Sequence, residues 1–117
     1  MNPEQQRIAI AEACGWEFRP YGDTRAWWKG GSMLWNELVK PLSGEIPTDP
    51  LPDYLNDLNA MHEAERMLYA RPNKPDGTVW AYVYENHLIN ITTTEIIATA
   101  AQRAEAFLKT IGEWADA

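Results

Sequence analysis

Apolar residues in this chain repeat either every three to four positions or every second one, and the switches between these periods mark the expected elements. The clearest helical stretch is 99–114. Thr99 followed three residues later by Gln102 is a capping box, in which each side chain satisfies a first-turn amide. Ala104, Phe107, Leu108, Ile111 and Trp114 then fall on one side, with Arg103, Glu105, Lys109 and Glu113 facing away. Such a helix, roughly 24 Å long, can cover the face of a sheet. A second helix is expected over 3–14, opened by Asn2-Pro3 and closed by Gly15, with Ile8, Ala11 and Cys14 on one side. The third runs about 53–69, capped by Asp53 and burying Leu55, Leu58, Met61 and Leu68.

Two stretches carry the shorter period. Residues 25–29 and 32–36 flank Gly30-Gly31, whose tolerance of positive φ suits a two-residue hairpin turn. That turn sets Trp28 opposite Met33 and Ala26 opposite Trp35 on one face, with Trp27 and Leu34 on the other beside Arg25 and Lys29. One side is then core, and the other presents an indole between cations. Residues 79–84 alternate strictly, Trp80, Tyr82 and Tyr84 against Val79, Ala81 and Val83, which predicts a strand with an aromatic face. Further β segments are expected at 88–91 and 95–98. Four prolines lie within 41–52, so that segment reads as an extended connection inside one domain spanning 1–117. The expected class is α+β, with an antiparallel sheet.

Composition narrows the function. A chain of 117 residues is long enough to bury a true core without staples, and its one cysteine, Cys14, forms no internal disulfide. No run approaches the length of a membrane span, so a soluble intracellular protein is expected. The net charge of −7 opposes binding to duplex nucleic acid. Charge is uneven, however: residues 19–40 carry Arg19, Arg25, Lys29 and Lys40 against Asp23 and Glu37, which leaves room for a local anion site on an acidic body.

Six tryptophans and five tyrosines are more than one small core can hold. Tyr21, Arg25, Trp27, Trp28 and Lys29 combine rings that stack on a base with cations that grip phosphate. Trp80, Tyr82 and Tyr84 would complete such a pocket, with Arg103 reaching in from a second subunit. His62 and Glu65 stand one helical turn apart, but a metal site needs three or four ligands and the only other histidine is His87, so a hydrogen-bonded helix histidine is expected and no metal. No phosphate loop, nucleophile elbow or cysteine pair is present, and neither catalysis nor a cofactor is expected.

Three stretches together, RIAIAEACGW at 7–16, LPDYLNDLNAMHEAE at 51–65 and ATAAQRAEAFLKTIGEW at 98–114, resemble the phage ABA sandwich domain family, small proteins of tailed phages and prophages. The resemblance implies an α/β/α layering and expression in the cytoplasm of an infected bacterial host, and it carries no catalytic residues. The expected function is that of a non-catalytic binding protein, a counter-defence sponge for a nucleotide-type immune signal such as a cyclic oligonucleotide or an ADP-ribose derivative. The alternative is an interaction module that docks on a host or phage protein through its aromatic surface. An enzyme cleaving such nucleotides with His62, Glu65 and His87 has the least support. The surplus aromatic surface also points to a homo-oligomer.

Overall fold

A computed structural model of the chain describes residues 1–21, 24–29, 32–33, 51–92 and 97–115, with backbone alone for residues 20, 21, 24, 25, 32 and 33. Among these the order is α1 (Pro3–Ala13), β1 (Trp16–Tyr21), β2 (Thr24–Lys29), β3 (Ser32–Met33), α2 (Leu58–Tyr69), α3 (Trp80–Ile91) and α4 (Ala100–Ile111). The class is α+β.

The helix α4 is the element the others meet. Its start is the capping box read from the sequence: Gln102 N donates to Thr99 Oγ1 at 3.1 Å and Thr99 N to Gln102 Oε1 at 2.9 Å. It stops at Ile111 rather than at Trp114, because Gly112 turns left-handed at φ 79° and the amides of Glu113 and Trp114 fold back onto the Leu108 carbonyl. Ala104, Phe107 and Leu108 are fully buried, and α1, α2 and α3 all pack against this helix. Helix α1 opens on a second capping box, Asn2 with Gln5, and ends at Ala13, after which Gly15 takes the left-handed turn. The Met1 ammonium donates to the Ala115 carbonyl at 2.7 Å, which ties the residue before α1 to the segment after α4.

The three strands form one antiparallel sheet in the order β1-β2-β3. Trp28 faces Met33, as the expected hairpin register requires. The Gly30-Gly31 turn, Leu34 to Asn36, the 41–50 part of the connection and residues 93–96 lie outside the described residues. Strand β1 alters the face assignment. It places Phe18 opposite Trp27, the rings 5.2 Å apart, and α1 packs on this strand. Trp27 is therefore core, 1% exposed, instead of an open indole between cations.

Two further expectations are corrected. Helix α2 begins at Leu58 and not near Asp53. Asp53 instead closes a turn, accepting the amides of Asn56 and Asp57 on its carbonyl, while Asp57 caps the helix by accepting Asn59 N at 2.9 Å. Residues 79–84 and 88–91 are not strands; Val79 is the N-cap and the others belong to the single helix α3. Alternation over six residues competes there with a four-residue step, and Trp80, Tyr84, Leu88 and Ile91 are the positions that reach the core. Burying those four as one helical stripe against α4 and α2 outweighs the strand propensity of Val, Trp and Tyr. No expected row of three aromatics on one strand face exists, since Tyr84 points inward while Tyr82 points out.

Candidate functional site

Of the nine residues singled out by the sequence, the seven whose side chains are described do not form one pocket. Tyr21 and Arg25 sit on β1 and β2, where backbone alone is described. Trp27 and Tyr84 are buried and offer no ring face to a ligand. Trp28 is partly buried beneath the Arg19 guanidinium, 4.7 Å from its ring centre. Lys29 turns to Trp16, its Nζ 5.5 Å from that ring. Arg103 does not reach outward to another subunit: its Nη1 lies 3.0 Å from Glu65 Oε2, and its Nε donates to the Ala98 carbonyl at 3.4 Å. Tyr82 is exposed, and Trp80 stands at the start of α3.

Around Trp80 the structure gathers two cations that the sequence reading left out. Arg71 Cζ lies 5.3 Å and Lys74 Nζ 4.8 Å from the centre of the indole, whose Nε1 donates to the Pro72 carbonyl at 2.8 Å. The intervening loop explains the placement. Lys74 N donates to Thr78 O at 2.9 Å and Gly77 N to Lys74 O at 2.8 Å, a tight turn that carries Lys74 back toward the residue six positions on. Asp76 braces the turn by accepting Thr78 N at 2.9 Å, and hydrogen bonding from Thr78 holds its carboxyl below the usual range. Helix α3 then starts at Trp80, its N-cap Val79 offering no side-chain cap, so its first-turn amides add the positive end of a helix dipole to the two side-chain charges. Arg71 also donates to the Ala13 carbonyl at 3.3 Å and forms one wall of a groove of about 500 Å³ along α1 and the end of α4. A space of that size is within the range of small-molecule sites. The remaining walls are apolar at Ile8, Ala9 and Ile111 and acidic at Glu12 and Glu113.

A second cavity, about 270 Å³, lies beside Cys14, Trp16, Lys29 and Tyr54. Asp57 and Glu63 also line it, so two carboxylates face one ammonium and a polyanion is repelled. Burial pushes the Cys14 thiol and the Tyr54 phenol up, which keeps both protonated at neutral pH. Neither is poised as a nucleophile.

The remaining cluster joins three helices. Glu65, with 8% of its side chain exposed, takes His62 Nδ1 at 2.8 Å on one oxygen and Arg103 on the other. The Tyr84 hydroxyl is buried beside the same carboxylate, so that burial first and the Glu65 charge second raise it, and its approach to Glu65 falls short of a well-formed hydrogen bond. His62 is thus the hydrogen-bonded helix histidine expected from its spacing. No three His, Cys, Asp or Glu side chains among the described residues are grouped to hold a metal. No helix of the described residues is long and apolar enough to cross a membrane.

Searches of protein-family models, of curated proteins and of solved structures return no match to this chain.

Proposed function

We propose that this chain is a phage-encoded, non-catalytic binding protein that sequesters a small nucleotide-type anion, a cyclic oligonucleotide or an ADP-ribose derivative, as a counter-defence sponge in the cytoplasm of an infected bacterium. Phage origin and an α/β/α layering of the full chain rest on the resemblance of the three helical stretches to the phage ABA sandwich domain family. The observation that carries the ligand class is the Trp80 indole flanked by Arg71 and Lys74 at the uncapped start of α3. An aromatic ring for a base, a guanidinium fork and an ammonium for phosphate, and helix-terminal amides are the groups such a ligand needs. Sequestration asks only for affinity, and burial keeps the Cys14 thiol and the Tyr54 phenol beside the second cavity protonated, so neither is a ready nucleophile.

A thermal-shift screen against cyclic dinucleotides, cyclic trinucleotides and ADP-ribose derivatives, with ligand integrity checked afterwards, tests this reading. A ligand at a hundred times its Kd adds about 2.7 kcal/mol of stability. The gain is expected with wild type, is expected to vanish in Trp80→Ala, and the ligand should be recovered intact. Degraded ligand would replace the sponge by an enzyme.

A second reading, a protein interface, is favoured by one specific feature: the outward side of α3 is apolar and open, with Tyr82 67%, Ile89 52% and Val79 46% exposed.

A further inference from the structure

Arg71 serves two places at once. Its guanidinium lies 5.3 Å from the centre of the Trp80 indole, and the same side chain closes one end of the groove of about 500 Å³ along α1. The Ala13 carbonyl takes one of its five N–H donors. A molecule held at Trp80 by its phosphates therefore has this groove as its continuation.

The groove has a direction. On α1 it is lined by Gln5, Ile8, Ala9, Glu12 and Ala13, which recur at the three- and four-residue steps of one helix side. From Gln5 to Glu12 is two turns, about 10 Å of helix. Arg71 meets the Ala13 end. The other end lies where α4 finishes, since the Met1 ammonium before α1 meets the Ala115 carbonyl after α4. Gln5 and Glu113 mark that far end, and Ile8, Ala9 and Ile111 lie between. Glu4 adds negative charge beside Gln5, while Lys109 is drawn away, paired with Glu105 at 3.1 Å and set over the Trp114 ring. Cations thus stand at one end, a carboxylate and an amide at the other, and the middle is apolar.

We propose that this groove holds the second sugar of a linear ligand, a nucleoside diphosphate esterified to a further ribose with free hydroxyls, as in ADP-ribose, and that it rejects a cyclic oligonucleotide. This rests on Trp80, Arg71 and Lys74 being the nucleotide site and names which nucleotide fits it. With the diphosphate between Arg71 and Lys74, the terminal ribose passes Ile8, Ala9 and Ile111, and its vicinal hydroxyls donate to Glu113. An ionised carboxylate only accepts hydrogen bonds, and pairing one with ribose hydroxyls is how dinucleotide-binding folds recognise that sugar. Charge and covalent structure remove the cyclic alternative. Each ribose of a cyclic dinucleotide carries one of its two hydroxyl oxygens in a phosphodiester, so no vicinal pair is left. Its two phosphates also lie on opposite sides of the ring. When one meets Arg71 and Lys74, the other falls on the apolar stretch or on Glu113, and Glu12 beside Arg71 opposes further negative charge at the near end. The volume suits a diphosphate and a ribose together, within the range of small-molecule sites.

Isothermal titration calorimetry on the full chain with ADP-ribose, ADP and cyclic di-AMP tests the assignment. ADP-ribose is expected to bind at least tenfold tighter than ADP, and cyclic di-AMP more weakly than ADP-ribose. Glu113→Ala should weaken ADP-ribose about tenfold and leave ADP unchanged, because ADP does not reach the far end. The Tm of the free variant should match wild type, since Glu113 is exposed beyond the end of α4. Trp80→Ala should weaken ADP-ribose and ADP alike. Equal affinities for ADP and ADP-ribose overturn the groove assignment while leaving the nucleotide site standing. So does a Glu113→Ala variant that binds ADP-ribose as wild type does, or cyclic di-AMP bound tighter than ADP-ribose and lost in Trp80→Ala. ADP-ribose bound equally by wild type and Trp80→Ala, or no binding of any of the three at millimolar concentration, overturns the nucleotide site and the groove assignment together.

Discussion

Arg103→Met is the perturbation whose cost the structure defines best. Glu65 and Arg103 meet at 3.0 Å with 8% and 13% of their side chains exposed, so water screens the pair little. Methionine keeps the length and apolar stem of the arginine but leaves a buried carboxylate whose remaining ion-pair partner is the half-exposed His62. Removing one partner of a buried pair costs about 3–5 kcal/mol, mostly the desolvation of the charge left behind. For a domain of this size each kcal/mol lowers Tm by about 4 °C, so a fall of roughly 12–20 °C is expected. The double variant Glu65→Leu with Arg103→Met removes both charges and should return to within about 1 kcal/mol of wild type. Urea unfolding followed by tryptophan fluorescence gives all four corners of the cycle. A single substitution that costs under about 1 kcal/mol, or a double variant as unstable as the sum of the singles, would refute the account of this pair as the buried tie between α2 and α4.

Other consequences are smaller but as direct. Thr99→Ala removes the hydroxyl cap of α4 and should cost about 1 kcal/mol in urea unfolding, and Gly112→Ala about 1–2 kcal/mol because φ 79° disfavours a side chain although nothing blocks the space. Tyr84→Phe should be nearly neutral, within about 0.5 kcal/mol, since the hydroxyl it deletes is buried beside Glu65 without a well-formed hydrogen bond. Burial raises the Tyr54 and Tyr84 phenols above their ordinary value of 10, with the Glu65 charge adding to the latter. The folded chain then holds protons that the unfolded chain gives up. Stability is complete below pH 10 and falls as pH rises beyond it, at a slope approaching ~2.7 kcal/mol per unit when both contribute. Urea midpoints that stay flat between pH 9 and 11 would contradict this.

Local signals marked those elements whose ends are fixed by their own residues. Asn2-Pro3 and Thr99 with Gln102 each determine a helix start within one turn, and the starts of α1 and α4 were legible for that reason, whereas the apolar stripe running on to Trp114 hid the stop at Gly112. Asp53 misled because another acid four residues later competes for the same role, and Asp57 caps the helix. Alternation in 79–84 misled because the residues that decide between strand and helix, Leu88 and Ile91, lie beyond the window, in the partner surface of α4. The candidate site was legible only at Trp80. Its cations, Arg71 and Lys74, reach it through a loop closed by backbone hydrogen bonds that composition does not announce. Trp27 and Tyr84 looked available because a strand pattern was assumed to leave one face open, and tertiary packing closed both.

The most direct test of the binding account is an NMR titration of the protein, labelled with nitrogen-15, with ADP-ribose and with a cyclic dinucleotide, the Trp80 indole resonance assigned from Trp80→Phe. The account predicts that one of these ligands shifts the Trp80 indole and the amides of residues 80–82 saturably, that the shifts weaken with added salt, and that Lys74→Ala reduces them. Saturable shifts confined to the Trp16 and Lys29 cavity, or no shift with either ligand at millimolar concentration, would contradict it.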